Sequence, residues 1–260
     1  MVRNESHSLV EDSNLSHAWA QAFIHLIDNH GKEISPLVVS ITGFVNGIPQ
    51  ENDSIRRELD RALLASSQPL VHTVANTIFA PSLWRLAQYD RQRLYRIYGE
   101  ALPRYKALAP SKNRRGEYFE RLIAFGSGPC GGNQLEYIVT EYNSRPGVRR
   151  SMFQASIFDP SKDHVRDAQL PFPCLQHLSF IPQGSGLIVN AFYATQLLFE
   201  KAYGNYLGLC RLGQFMAHEM GLTLERMNCF TGVEKLDRVS KSSASLAPLI
   251  AVCRTVIDPQ

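Results

Sequence analysis

No apolar run in this chain approaches the roughly 20 residues needed to span a bilayer, and the polar start from Met1 to Ser16 lacks the apolar stretch of a secretory signal. A soluble protein with no membrane partner is therefore expected. The five cysteines, Cys130, Cys174, Cys210, Cys229 and Cys253, are odd in number and without close pairs, so neither a disulfide framework nor a CxxC metal site is indicated. No metal is expected, and a reducing cytoplasm fits. The net charge of +3 favours an anionic ligand, but the bases never gather into a run, which argues against a nucleic-acid partner and leaves small anions. The loop GSGPCGG at 126–132 lacks the GK[ST] ending of a phosphate-cradling loop and reads as a turn. His218 has Glu219 beside it but no serine nucleophile elbow to serve. Repeats and low-complexity segments are absent.

What is present suits a large core. In 260 residues, 44% are hydrophobic and 20% charged, which predicts one domain over 17–260 behind a polar N-terminal tail over 1–16. Trp19, Phe23, Ile24 and Ile27 recur at helical spacing in HAWAQAFIHLIDNH, 17–30. The β-branched stretch from Pro36 reads as a strand ending in the turn pair Asn46-Gly47, and a second helix starts at Asp53-Ser54. Residues 70–79 read as a strand, and 82–102 as one helix ended by Pro103 and Pro110 across the polar connector 110–116. A helix from Asn133 closes in a Pro-Gly turn at 146–147. Strands follow at 148–157, 175–181 and 187–193, the last two flanking a hairpin turn over 182–186. From Asn205 to Met220 an apolar helix carries Gly208 and Gly213, with Gly204 just before it, a spacing that admits close backbone approach; Lys201, Arg211 and Glu219 mark it as a soluble helix.

One segment carries a chemical signal. By itself Cys174 reads as a small hydrophobe in a strand. Its context is Pro173-Cys-Leu-Gln-His-Leu-Ser-Phe180, a hairpin turn, LIVNAFYATQLLF, and a helix led by Gly204-Asn205. In order and spacing this resembles the core of the thymidylate synthase superfamily. The resemblance covers about residues 118–235, adding the helix from Asn133, the paired arginines Arg149 and Arg150, and GLTLERMNCFTG after the long helix.

The resemblance implies an α/β (α+β) fold, a mixed sheet packed by helices, and a homodimer formed through the sheet. It implies covalent catalysis, with the Cys174 thiolate adding to C6 of a pyrimidine nucleotide and making C5 nucleophilic toward the methylene of 5,10-methylenetetrahydrofolate. A free thiol is mostly protonated at neutral pH, so nearby positive charge is needed. Arg149 and Arg150 would reach the substrate phosphate of the neighbouring protomer; they also read as a solvated basic turn. Asn205 would bond the O4 and N3 edge of the base, which suits an amide that both donates and accepts; it also reads as a helix N-cap. Glu58, in SIRRELDRALL, would relay protons to the ring; it also reads as a helix glutamate paired with Arg61 or Arg57. Ala194-Thr195 stands where the family has an Arg-Ser pair that grips phosphate, so Thr195 keeps a substrate contact and a cation beside Cys174 is missing. Leu197 replaces the pterin-contacting aspartate, GVEKLDR lacks the His-x-Tyr that holds the sugar hydroxyl, and little chain follows Val256 to serve as the closing tail. Poor closure favours water capture of the methylene, giving a hydroxymethyl rather than a methyl product. The same departures accommodate a noncatalytic nucleotide-binding homologue, or one-carbon chemistry on a secondary-metabolite precursor.

Overall fold

The structure is a computed structural model that describes residues 8–108, 110–113, 115–166, 172–236 and 239–257. In chain order the elements are β1 (Ser8–Asp12), α1 (Leu15–Asp28), β2 (Glu33–Ile34), β3 (Leu37–Ile41), β4 (Phe44–Val45), β5 (Ile48–Pro49), α2 (Asp53–Ala65), α3 (Val71–Ile78), α4 (Pro81–Leu86), α5 (Arg91–Leu108), α6 (Pro110–Asn113), α7 (Tyr118–Ile123), α8 (Gln134–Ser144), β6 (Gln154–Ser156), α9 (Pro160–Asp163), β7 (Leu175–Gln183), β8 (Gly186–Leu197), α10 (Tyr203–Glu219), β9 (Thr223–Lys235) and α11 (Ala247–Ile257). This is a mixed α/β fold, as the sequence led one to expect. The main sheet runs β1-β3-β9-β8-β7-β6, with β2 also paired to β9; β1–β3 and β8–β9 are parallel and the other pairs antiparallel.

Helices cover one face of this sheet. In α10, Gly213 lies where an added Cβ would meet Leu224 and Val189 of the sheet at 2.9 and 3.0 Å, while Gly204 and Gly208 face α3, where a Cβ would fall 2.6 Å from Val74 Cβ and 2.8 Å from the Ala75 carbonyl oxygen. The glycines therefore let α10 lie flat against two neighbours at once. The opposite face is largely uncovered. Phe192 of β8 and Phe230 of β9, register partners, stack there at 5.5 Å with each 41% exposed, and the partners Asn190 and Asn228 are hydrogen-bonded at 2.8 Å.

Several sequence expectations are corrected. Residues 70–79 form a helix, α3, because Val71, Val74, Ala75 and Ile78 bury one helical face against the α10 glycines, and tertiary packing overrides the strand preference of β-branched residues. The span 82–102 is broken at 87–90, where Gln88 and Tyr89 take positive φ and Asp90 accepts from the Arg93 backbone N–H to start α5. Pro103 lies inside α5 rather than ending it, four residues after the exposed Gly99, whose carbonyl loses its i+4 donor there. Part of the expected polar tail is structured: Ser8–Asp12 pairs with β3 around buried Val10, and Asn14 caps α1 through the Ser16 and His17 N–H groups. The expected strand 148–157 is a 3₁₀ turn over Arg150–Met152 followed by the short β6.

Candidate active site at the start of β7

Cys174 sits just before β7, half-buried. Its carbonyl accepts from the Ala194 N–H at 3.1 Å and, with that of Pro173, from the Gln176 side-chain amide. Burial pushes its thiol pKa up, and Lys201 pulls it back part of the way. Lys201 is thus the positive charge that acts on this thiol. It lies in a π-helical turn, Leu198–Ala202, that leads directly into α10. That turn is fixed from beneath: the Trp19 indole donates to the Leu198 carbonyl at 2.9 Å, and the Tyr203 hydroxyl bonds Ser16 Oγ at 2.7 Å and Glu51 at 2.8 Å.

Tyr118 of α7 lies by Cys174, its hydroxyl pKa raised by burial and drawn back by the backbone N–H groups of Leu175 and Cys174. Its ring packs on Phe172 at 5.0 Å. Behind Cys174, Tyr193 of β8 is fully buried, and Cys174 and Tyr118 both act on its ionisation.

Asn205 is the third residue of α10 and follows a π turn, so capping is not its role. It is only 5% exposed, and its amide has no hydrogen-bond partner among the described residues. An unsatisfied, nearly buried amide one turn beyond Lys201 is suited to a polar ligand edge. Thr195 is half-buried on β8 opposite Val233.

The other sequence candidates lie apart from Cys174. Glu58 of α2 is ion-paired with Arg61 at 2.8 Å beside Val252 of α11, and the charge acting on Cys174 is that of Lys201. Arg149 and Arg150 are exposed in the turn before β6, and neither guanidinium is paired among the described residues. Arg150 lines an open cleft of about 340 Å³ with Tyr142, Arg145 and Phe153. His177 Nε2 pairs with Gln154 at 2.9 Å, and His218 packs edge-on against Trp84, so both have structural contacts.

Sequence reasoning missed Lys201, Tyr118 and Tyr193 as members of this site. No motif marks them: Lys201 is an ordinary helix lysine until a π turn aims it, and two tyrosines 75 residues apart meet only through the sheet.

No family model matches the chain. Over 108 residues it is 26% identical to a protein of Methanocaldococcus jannaschii named "Putative thymidylate synthase", a stretch that is 41% of this chain and 48% of that protein. The chain thus spans about half the length of the relative it matches. At a coarse level this likeness suggests the thymidylate synthase superfamily. Among the described residues no helix is long and apolar enough to cross a membrane.

Proposed function

We propose that this chain is a thymidylate synthase-like enzyme that activates C5 of a pyrimidine nucleotide for one-carbon transfer, with Cys174 as nucleophile. The observation that carries the reading is the grouping at one end of the sheet: a half-buried thiol, the cation Lys201 acting on it, and the unpaired amide of Asn205 one turn further on. Sγ adds to C6 and the C5=C6 electron pair moves toward C5 and the C4 oxygen. Asn205 holds the O4 and N3 edge, and Thr195 contacts the substrate from β8.

Arg149 and Arg150 bind the phosphate of a neighbouring protomer. Their unpaired guanidinium groups and the open, aromatic sheet face favour a homodimer built through that face. Glu58 is the proton relay that the family resemblance offers, although its carboxylate is engaged with Arg61.

A reduced folate, 5,10-methylenetetrahydrofolate, would supply the one-carbon unit in such chemistry. Leu197 at the end of β8 offers a pterin no hydrogen-bond acceptor, so the residues here do not fit a folate as that family holds it. The reaction is therefore carried only as far as C5 activation.

Tritium release from 5-tritiated pyrimidine nucleotides tests the reading. Wild-type protein releases tritium, Cys174→Ala releases none, and a 5-fluoropyrimidine nucleotide forms a covalent adduct at Cys174; release from no nucleotide sinks the proposal. The raised thiol pKa favours a second reading, a nucleotide-binding homologue without catalysis. Calorimetric binding that survives Cys174→Ser, with no turnover, selects it.

A further inference from the structure

Near Cys174 lies a group of buried polar side chains that have no partner among the described residues. Tyr193 Oη, Gln196 Nε2, Tyr206 Oη and both carboxylate oxygens of Glu234 are buried without a hydrogen-bond partner among the described residues. None of these residues is more than 2% exposed. Chance does not scatter them: Gln196 and Glu234 are register partners on β8 and β9, Thr231 Oγ1 donates to Gln196 Oε1 at 3.3 Å, and Tyr206 is the residue after Asn205 on α10. Glu234 acts electrostatically on Tyr206, Tyr206 on Tyr193, and Cys174 on Tyr193. The chain of influence runs from a buried carboxyl to the proposed nucleophile.

An unpaired buried charge is too costly to keep, and five orphaned polar atoms in one place are the usual sign of bound internal water. Tyrosine hydroxyls and water both donate and accept, so such a chain conducts protons. We infer that Glu234 is a protonated acid and the proton source of the Cys174 site, acting through Tyr206, Tyr193 and internal water. Burial agrees, pushing the carboxyl pKa well up; the Thr231 hydroxyl nearby pulls it down, but its proton is given to Gln196 Oε1, so it does not pair the carboxyl. The titratable groups in this cluster are Tyr193, Tyr206 and Cys229, all neutral in the physiological range because burial raises each.

The role rests on the function proposed above. As the Sγ–C6 bond forms, the thiol proton leaves to solvent past Lys201 and the electron pair of C5=C6 moves to the C4 oxygen. That oxygen takes a proton from the chain, and Glu234 is left as carboxylate. A solvent proton then adds to C5 as the O4 proton returns to the chain; loss of the 5-tritium to water as T⁺ re-forms the enol, and rupture of the S–C6 bond reverses both transfers. Glu234 does not touch the ring, so it positions and supplies a proton through others.

Infrared difference spectra and tritium release on the full chain test this. Wild type minus Glu234→Gln shows a carboxylic-acid carbonyl band at neutral pH, and that band shifts when Cys174 is alkylated. Tritium release falls about 10²-fold in Glu234→Gln, within the range of a general acid, while the rate of Cys174 alkylation is unchanged and Glu234→Asp restores part of the activity. Tyr206→Phe and Tyr193→Phe reproduce the loss, and they stand in for Glu234→Gln should that variant not fold. Absence of the band, or wild-type release by Glu234→Gln, overturns the inference. Should wild type release no tritium from any nucleotide, the proposed function falls and the band alone decides: a shift on Cys174 alkylation supports the relay, an unmoved band refutes it.

Discussion

Glu58 and Glu234 are both glutamates that the family comparison or the fold brings near the question of proton transfer, and they sit in opposite surroundings. Glu58 is on α2, its side chain 18% exposed, paired with Arg61 and lining an open cleft with Val252 of α11. Glu234 is in the central parallel strand pair, wholly buried and unpaired. A short motif found the first; only burial and the failure to find a partner found the second. A partly exposed carboxylate has water and an ion pair to satisfy it, and a pair with an arginine as exposed as Arg61 contributes roughly 0–1 kcal/mol. A buried acid has neither, and persists because it is protonated or does chemistry.

The comparison can be broken most decisively by activity. Replacement of Cys174 by Ala abolishes tritium release, whereas Glu234→Gln lowers it about 10²-fold; Glu58→Gln, whose carboxylate is engaged with Arg61, lowers it by less. A large loss in Glu58→Gln with none in Glu234→Gln would invert the assignment.

Next in size is the cation at the thiol. Lys201→Met slows alkylation of Cys174 at neutral pH by roughly 3- to 10-fold, as expected on removing one partly screened positive charge from a thiol. Mass-spectrometric mapping separates this from the exposed Cys130. In wild type the Cys174 rate goes on rising above the pH at which a free cysteine thiol levels off, about 8.5, because burial outweighs Lys201; a Cys174 titration below that value contradicts the structure.

The solvent-facing region makes its own demand. Phe230→Asp places a charge in the centre of the open sheet face and shifts the sedimentation equilibrium from dimer to monomer, since a desolvated, unpaired carboxylate is costly in an interface. A wild-type protein that sediments as monomer at all concentrations removes the dimer and, with it, the phosphate role of Arg149 and Arg150.

The smallest effect is on stability. The folded-state pKa of Glu234 lies above its unfolded value, so the native state binds more protons and the contribution of this group to stability falls as pH rises from the unfolded carboxyl pKa, about 4.3, through the folded one. Urea midpoints of wild type minus Glu234→Gln should therefore decline between pH 5 and pH 8. A rising difference would mean that Glu234 is ionised and paired.

How much was legible follows a physical line. Helices α1, α2, α8 and α10 and the β7–β8 hairpin announce themselves through periodicity, Asn and Asp caps, and turn residues, all of which act within a few positions. Helix α3 does not, because its β-branched residues become helical only against Gly204 and Gly208, some 130 residues away. Cys174 and Asn205 are marked by their place in an ordered run, and the structure adds that Asn205 is interior to a helix and unsatisfied. By itself the sequence determined that a Pro-Cys strand, a hairpin and an Asn-bearing helix succeed one another, since each rests on local preference and spacing. Tertiary structure alone decided that Lys201, Tyr118 and Tyr193 surround the thiol and that Glu234 lies unpaired behind it, because burial and electrostatic partnership depend on distances that chain order does not encode.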